Sequence, residues 1–446
     1  MIGATLRQHL PIILLAVWAL AGMQATAQEP LSTKDKKAIK RFEEAQTNIQ
    51  YNQLELAEVN LQLAIERDPN FKEAYIVLGQ VYAQSRQDAK AIEAFDQLIA
   101  LDPNFYPPVY FTKGSLEIGV GKYAEAEKSF NQYLTFGLNH PRMDPLARQG
   151  LTNCAFAKEA IKRPVPFEPK NLGPEINSRF SEYFPCLTAD EGLLLYTRRL
   201  EDPRSPSGYN EDFYYTFQQE RDGQKYWQKA RNLGPPVNSL ANEGAPTVSA
   251  DGQTIIFTAC ADLSGEYGPR RNGAGSCDLF TTRLSRDRWD EPRNLGNKVN
   301  TRNWETQPSY AADGKTLYFI RGVIQRGGGR QQDIWFSEYV EKKGWSAPQK
   351  LPNHINTPGR EESVFAHPDG KTLYFSSDGH PGMGGLDIYR VRKNDDGEWG
   401  KPENLGYPIN SHNDENSLLV SASGTTAYFA SDREGGFGEL DLYSFE

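Results

Sequence analysis

Histidine is scarce in this chain. The six residues, His9, His140, His354, His367, His380 and His412, never fall in the His-Glu-x-x-His spacing that presents two zinc ligands on one helix face. Neither a Gly-x-Ser-x-Gly nucleophile elbow nor a Gly-x4-Gly-Lys-Ser/Thr phosphate loop occurs, so the hydrolase and nucleotide-binding classes built on those motifs are set aside. "NDDG" at Asn394 is a turn with too few ligands for a calcium loop. Basic residues are in deficit, 49 against 58 acidic ones, which argues against nucleic acid as a partner. Long apolar runs are also lacking, apart from "LPIILLAVWALAGM" at Leu10–Met23. That run is 14 residues, short of the roughly 20 that span a bilayer, and it lies between Arg7 and "ATA" at Ala25–Ala27. It reads as a secretory signal peptide over residues 1–27. The expected mature chain is exported to the periplasm, possesses no transmembrane span and carries a net charge of −10 once Arg7 is removed from the −9 total. No cysteine follows the cleavage site, which argues against a bacterial lipid anchor.

Residues 28–163 use a helical alphabet, with apolar residues at three- and four-residue spacing. "RDPNF" at Arg67–Phe71 returns as "LDPNF" at Leu101–Phe105, a period of 34 residues. Tyr75, Leu78, Gly79, Tyr82, Ala91, Phe95 and Pro103 fall at the spacing of a tetratricopeptide repeat, which the segment resembles. Three repeats are expected, over 36–69, 70–103 and 104–138, with a closing helix near Asp144–Lys162. In that register Gln46, Gln50, Glu73, Gln80 and Gln84 fall on the concave face, where amides could hold an extended peptide or form an ordinary solvated face.

From residue 164 to 446 the pattern is all-β. "DGKTLYF" occurs at Asp313–Phe319 and again at Asp369–Phe375, one of five turn-and-strand units. Asn177, Asn238, Asn300, Asn356 and Asn410 each precede by five residues Glu182, Glu243, Glu305, Glu361 and Glu415. Units of 54 to 62 residues with four strands each describe a five-bladed β-propeller. The last unit lacks its fourth strand, and "FEPKNLG" at Phe167–Gly173 stands before the first unit without a blade. The expected fold is therefore a tetratricopeptide α-solenoid followed by a propeller that an N-terminal strand closes.

"SADGQTIIFTA", "PDGKTLYFSSDGHPGMGGLDIY" and "SGTTAYFASDREGGFGELDLY" resemble the WD-like propeller repeats named for the periplasmic protein TolB. The order of solenoid then propeller is similar to envelope proteins associated with type IX secretion and gliding. Longer members of that group append an OmpA-like peptidoglycan-binding domain; this sequence stops at Glu446, inside the ring, so peptidoglycan anchoring is not implied.

Three constellations are candidates for function. The five Glu residues, at the start of the strands that line a propeller channel, would either hold a cation at its mouth or accept hydrogen bonds from the adjacent turns, with the fixed Asn as partner. Arg198, Arg199, Arg204, Arg270, Arg271, Arg321, Arg326 and Arg330 fall near the loops between second and third strands, on one face of the disc. They form either a docking surface for an acidic partner or anionic glycan, or solvated loop charge. Among the four cysteines, Cys260 and Cys277 would clip a 16-residue loop, worth about 3 kcal/mol, and Cys154 with Cys186 would staple the two domains or remain free thiols. The glycines of "GHPGMGGLD" at Gly379–Asp387 join two strands and do not read as a phosphate site. The expected function is a non-catalytic envelope scaffold that needs no cofactor or metal. Its rivals are a receptor with a glycan or peptide in the channel and a hydrolase with dispersed carboxylates.

Overall fold

The computed structural model describes residues 30–446 except 206–207, 263, 325–329 and 434. The expected signal segment and Arg326 lie outside the described residues.

Among the described residues seven helices precede the strands: α1 (Lys36–Gln50), α2 (Leu54–Arg67), α3 (Lys72–Gln84), α4 (Asp88–Leu101), α5 (Pro108–Gly119), α6 (Tyr123–Thr135) and α7 (Met143–Lys162). Asp35 starts α1 by accepting the Lys37 and Ala38 N–H groups at 2.7 and 3.0 Å. The repeated Asp-Pro-Asn turns end α2 and α4, where Asp68 and Asp102 accept the N–H two residues on. Helices pack in pairs because small residues let them approach. A Cβ at Gly79 would collide with the Phe95 ring, and one at Gly150 would enter the Phe130 ring. The closing helix α7 buries Ala147, Gly150, Cys154 and Ala157 against that stack.

Short β1 (Lys170–Asn171) then leads into the propeller. Blade one contains β2 (Ser181–Leu187), β3 (Leu193–Glu201), β4 (Tyr209–Arg221), β5 (Gln224–Trp227) and β6 (Arg231–Asn232). Blade two contains β7 (Asn242–Val248), β8 (Thr254–Cys260), β9 (Cys277–Ser285), β10 (Arg288–Trp289) and β11 (Arg293–Asn294). Blade three contains β12 (Trp304–Tyr310), β13 (Thr316–Ile324), β14 (Arg330–Val340), β15 (Gly344–Trp345) and β16 (Gln349–Lys350). Blade four contains β17 (Glu361–Ala366), β18 (Thr372–Ser377), β19 (Asp387–Arg392) and β20 (Glu403–Asn404). Blade five contains β21 (Asn416–Val420), β22 (Ala427–Ser431) and β23 (Asp441–Phe445), with β1 as its outer strand in the order β1-β23-β22-β21.

The ring thus closes as expected: Lys170 faces Ser444 and Asn171 faces Tyr443. Two backbone residues alone make a weak clasp, and side chains reinforce it. The Phe167 ring sits 4.9 Å from Phe445, and Arg433 covers Phe167, Phe429 and Tyr443 at 4.7 to 5.1 Å.

The five fixed Asn residues bind each blade to the one before. Asn177 accepts the Leu442 N–H and donates to the Leu442 carbonyl; Asn238 does the same to Phe213, Asn300 to Leu279, Asn356 to Ile334 and Asn410 to Ile388, all at 2.8 to 3.0 Å. Each partner lies on the third strand of the preceding blade, so one amide satisfies both backbone groups of a buried residue at the junction. Asn177 performs this at the point of closure. The Leu442 carbonyl also accepts the Leu172 N–H at 3.0 Å, so replacement of Asn177 by Ala strands the buried Leu442 N–H, and urea unfolding should show a loss of roughly 1–3 kcal/mol. Stability within about 0.5 kcal/mol of the parent would contradict the latch.

Candidate functional site

The five Glu carboxylates do not form an open ring. Glu182, Glu243, Glu305 and Glu361 are fully buried and Glu415 is half-buried, and each is folded back on its own turn, where the Ser or Thr four residues earlier donates its hydroxyl: Ser178 at 2.5 Å, Ser239 at 2.5 Å, Thr301 at 2.8 Å, Thr357 at 2.6 Å and Ser411 at 2.5 Å. The partner is this hydroxyl rather than the Asn, whose amide is occupied by the neighbouring blade. None of the five lines the channel, which instead passes between bulged first strands. Phe184, Ala245, Gln307, Ser363 and Ser417, each two residues after its Glu, stand at φ 49° to 59° where the ladder register shifts. The channel cavity is about 110 Å³, well under the roughly 300–1,000 Å³ of most small-molecule sites. A glycan or peptide does not fit there.

Three of the expected docking arginines belong to this buried framework. Arg198 donates through Nε to Glu182 at 2.7 Å, Arg321 does so to Glu305 at 2.8 Å, and Arg271 reaches Glu243 through Nη1. Their Nη2 atoms donate to the Ile176, Val299 and Val237 carbonyls. Arg198 lies 4.2 Å from the Tyr214 ring and Arg321 lies 4.7 Å from the Trp335 ring. In blade four His380 occupies the corresponding place, between Phe375 and Tyr389, and bonds the Ile355 carbonyl at 2.8 Å. Burial pushes Glu182, Glu243 and Glu361 each up to about 7; in the first two the Arg charge works against that rise. A sequence-level clue existed on β3, β13 and β18, where Arg198, Arg321 and Ser377 all stand 16 residues after their Glu. Arg271 comes from a loop and follows no such register.

The basic face therefore contracts. Arg199 stacks on the Tyr209 ring at 4.1 Å, Arg204 pairs with Asp202 at 2.7 Å, and Arg270 pairs with Glu291 at 2.6 Å. Arg204 and Arg270 face one groove between blades one and two, a cavity of about 910 Å³ whose walls include Leu200, Pro203, Pro236, Leu240 and Pro269 and whose floor holds Asn210 and Asp212. Among the described site residues, which leave out Arg326 and the side chain of Arg330, only these two arginines are brought together on an accessible concave surface.

On the solenoid, Gln50 is exposed and Gln46 and Gln84 are half-buried, whereas Gln80 is buried. Glu73 is already engaged: its carboxylate accepts the Ser32 N–H at 3.0 Å and the Ser32 hydroxyl. The concave amide row is thus shorter than its spacing implied.

The glycine-rich segment Gly379–Asp387 does more than join two strands. Met383, 1% exposed, inserts into the helical core, and Gly382 N–H donates to Asn153 Oδ1 on α7 at 3.3 Å. Tyr407 packs on the same core, and Val165 N–H donates to its carbonyl at 2.7 Å. Buried Tyr123 on α6 lies near Asp387 and Glu415; burial drives Asp387 up to about 7 and Glu415 well above the usual carboxylate range. Blades four and five are therefore the platform for the helices. A lone Met among glycines was the available signal.

Cys260 and Cys277 face each other across β8 and β9 and form a disulfide. Cys154 and Cys186 do not pair. Both are buried free thiols, one in the helical core and the other between blades one and two. Among the described residues no group of three or more His, Cys, Asp or Glu is placed to hold a metal ion, and no helix is long and apolar enough to cross a membrane.

A family model of the tetratricopeptide repeat matches residues 72–105. No curated relative matches the chain. Similar solved structures include the TPR2B domain of yeast Sti1 in a pHsp70 complex, 21% identical over 27% of this chain and 96% of that one, at a TM-score of 0.25. Another is the Yersinia enterocolitica type III secretion chaperone SycD with a peptide of the translocator YopD, 20% identical over 27% and 92%, also at 0.25. The Sgt2 TPR domain from Aspergillus fumigatus is 17% identical over 31% and 93%, at 0.26.

The two neighbouring arginines distinguish framework from surface. Arg271→Ala strands Glu243 in the interior and should cost about 3–5 kcal/mol in denaturant unfolding. Arg270→Ala, whose side chain is 77% exposed, should cost no more than about 1 kcal/mol. Equal losses would contradict the assignment.

Proposed function

We propose that this protein is a non-catalytic scaffold of the bacterial cell envelope, displaying two interaction surfaces in a fixed relative orientation beside secretion or outer-membrane assembly machinery. Tetratricopeptide and propeller folds are both characteristic interaction modules. The observation that carries the reading is the plug of Met383 and Tyr407 into the helical core, which fixes the solenoid on blades four and five. The Cys260–Cys277 bridge suits an oxidising compartment, in keeping with the signal-like N-terminus. The resemblance to TolB-type repeats and to type IX secretion proteins supports the envelope setting. The small channel and the buried, partnered Glu residues weigh against the receptor and hydrolase readings.

The test is a cross-linked pull-down from envelope extract with quantitative identification of what is recovered. The intact protein is compared with a solenoid variant, Gln46→Ala with Gln50→Ala and Gln84→Ala, and a propeller variant, Arg199→Glu. The scaffold reading predicts one reproducible set of envelope proteins, with each variant losing a different part of it. Recovery of no reproducible set, or identical losses in both variants, would overturn it.

A further inference from the structure

An Asp near the head of the third strand recurs in every blade as Asp212, Asp278, Asp333, Asp387 and Asp441. In three blades the preceding loop reads Gly-x-Gly-x-x-Asp and folds over the carboxylate. Asp278 accepts the Ala274 and Gly275 N–H groups at 2.8 and 3.2 Å, Asp387 accepts those of Met383 and Gly384 at 2.8 and 3.3 Å, and Asp441 accepts that of Phe437 at 2.6 Å. In blade three a cation takes this role, Lys350 Nζ lying 2.8 Å from Asp333. Each of these four carboxylates is thus tied to its own blade by a backbone N–H or a cation, although Asp387 and Asp441 each keep one buried oxygen without a hydrogen-bond partner.

Blade one differs. Its loop, "SPSGYNED" at Ser205–Asp212, has no Gly-x-Gly step. Among the described residues, Asp212 is bonded only by two side-chain amides, Asn232 Nδ2 at 2.8 Å and Asn210 Nδ2 at 3.0 Å. No backbone N–H or cation among the described residues is bonded to it. Asp212 lines the groove of about 910 Å³.

Asn210 is the second, independent sign of a missing ligand. Both its donors are spent on acceptors, the Asp212 carboxylate and the Ser239 carbonyl, each at 3.0 Å, so the orientation of the amide is fixed. Its Oδ1 is left without a hydrogen-bond partner on a residue only 5% exposed. Such an orphaned acceptor calls for a donor. The wall charges select its sign. Arg204 and Arg270 are neutralised by Asp202 and Glu291, while Glu201 and Asp212 have no ion pair among the described residues. The groove is thus acidic by two charges, opposite to the partner sign inferred from the arginines alone.

We propose that the groove between blades one and two binds an extended segment of a partner protein through an arginine or lysine side chain seated on Asp212 and Asn210 Oδ1. A guanidinium or ammonium supplies donors only, which is what a carboxylate beside an amide oxygen lacks. Proline and leucine walls provide rigid apolar contact for the flanking residues, and the volume falls within the range of a specific site. Burial raises the Asp212 carboxyl, and a seated cation would restore its ionised form. The inference rests on the scaffold reading, since it names the chemistry of a partner at one of the two surfaces.

The probe is a fluorescein-labelled peptide, Gly-Leu-Pro-Arg-Pro-Leu, and its twin with neutral citrulline in place of arginine, titrated against the full mature chain by anisotropy. The arginine peptide should bind at least tenfold more tightly than the citrulline one, and Asp212→Asn should abolish that preference without moving the melting temperature by more than a few degrees. A second variant, Leu240→Lys, adds a competing cation at a wall position that is 55% exposed and should weaken the arginine peptide at least fivefold. Equal binding of the two peptides, no binding of either, or a preference unchanged by both variants would overturn the proposal. Loss of the peptide site with an intact pull-down set would remove this groove alone and leave the scaffold standing.

Discussion

A ring of separate sheets holds together only if every junction between sheets is fastened, and here the fastener is one asparagine per blade. Its amide takes the N–H and the carbonyl of a single residue on the third strand of the preceding blade. The carbonyl also accepts a backbone N–H, that of Leu233 for Phe213 and of Leu172 for Leu442, so it is the buried N–H that depends on the amide. The Glu five residues later depends on the same turn, because the Ser or Thr that follows the Asn donates to its carboxylate. Arginine then reaches that carboxylate in blades one to three and also caps the carbonyls of the turn. Junction, turn and channel strand are thus one connected polar network. The apolar core between blades fills in around it.

This network explains why the most regular feature of the sequence is not its functional site. Five Glu residues in fixed register invite a ligand, yet their regularity reflects a requirement that every junction shares. Function is better sought where the pattern breaks. It breaks in blade four, where the loop "GHPGMGGLD" sends Met383 out of the propeller and into the helices. It breaks again in blade one, whose loop has no Gly-x-Gly step before Asp212 and where Asp212 borders an open groove.

Much of the architecture was legible without coordinates. The 34-residue period, the copied "DGKTLYF" and the orphan "KNLG" determined the solenoid, the blades and the closing strand, because each is a local pattern repeated at a fixed interval. What escaped the sequence were partners contributed from elsewhere in the chain. Asn177 finds Leu442 across 265 residues, and Gly382 finds Asn153 across 229. Arginine was misread for the same reason: charge and a loop-like setting are visible in a string of letters, but whether a guanidinium faces solvent or a buried Glu is set by the fold. Gln80 and Glu73 show the matching limit on the solenoid, where a helical register gives the face but not what already occupies it.

The claim on which the functional account rests is that solenoid and propeller form one rigid display. A pair of spin labels tests it most directly, one at Leu56→Cys on α2 and one at Arg283→Cys on β9, both exposed, while Cys154 and Cys186 are buried away from the reagent. A single narrow distance distribution is predicted, broadening when Met383→Asp breaks the plug. A broad distribution in the otherwise unaltered protein would mean that the two surfaces move independently, and would contradict the account.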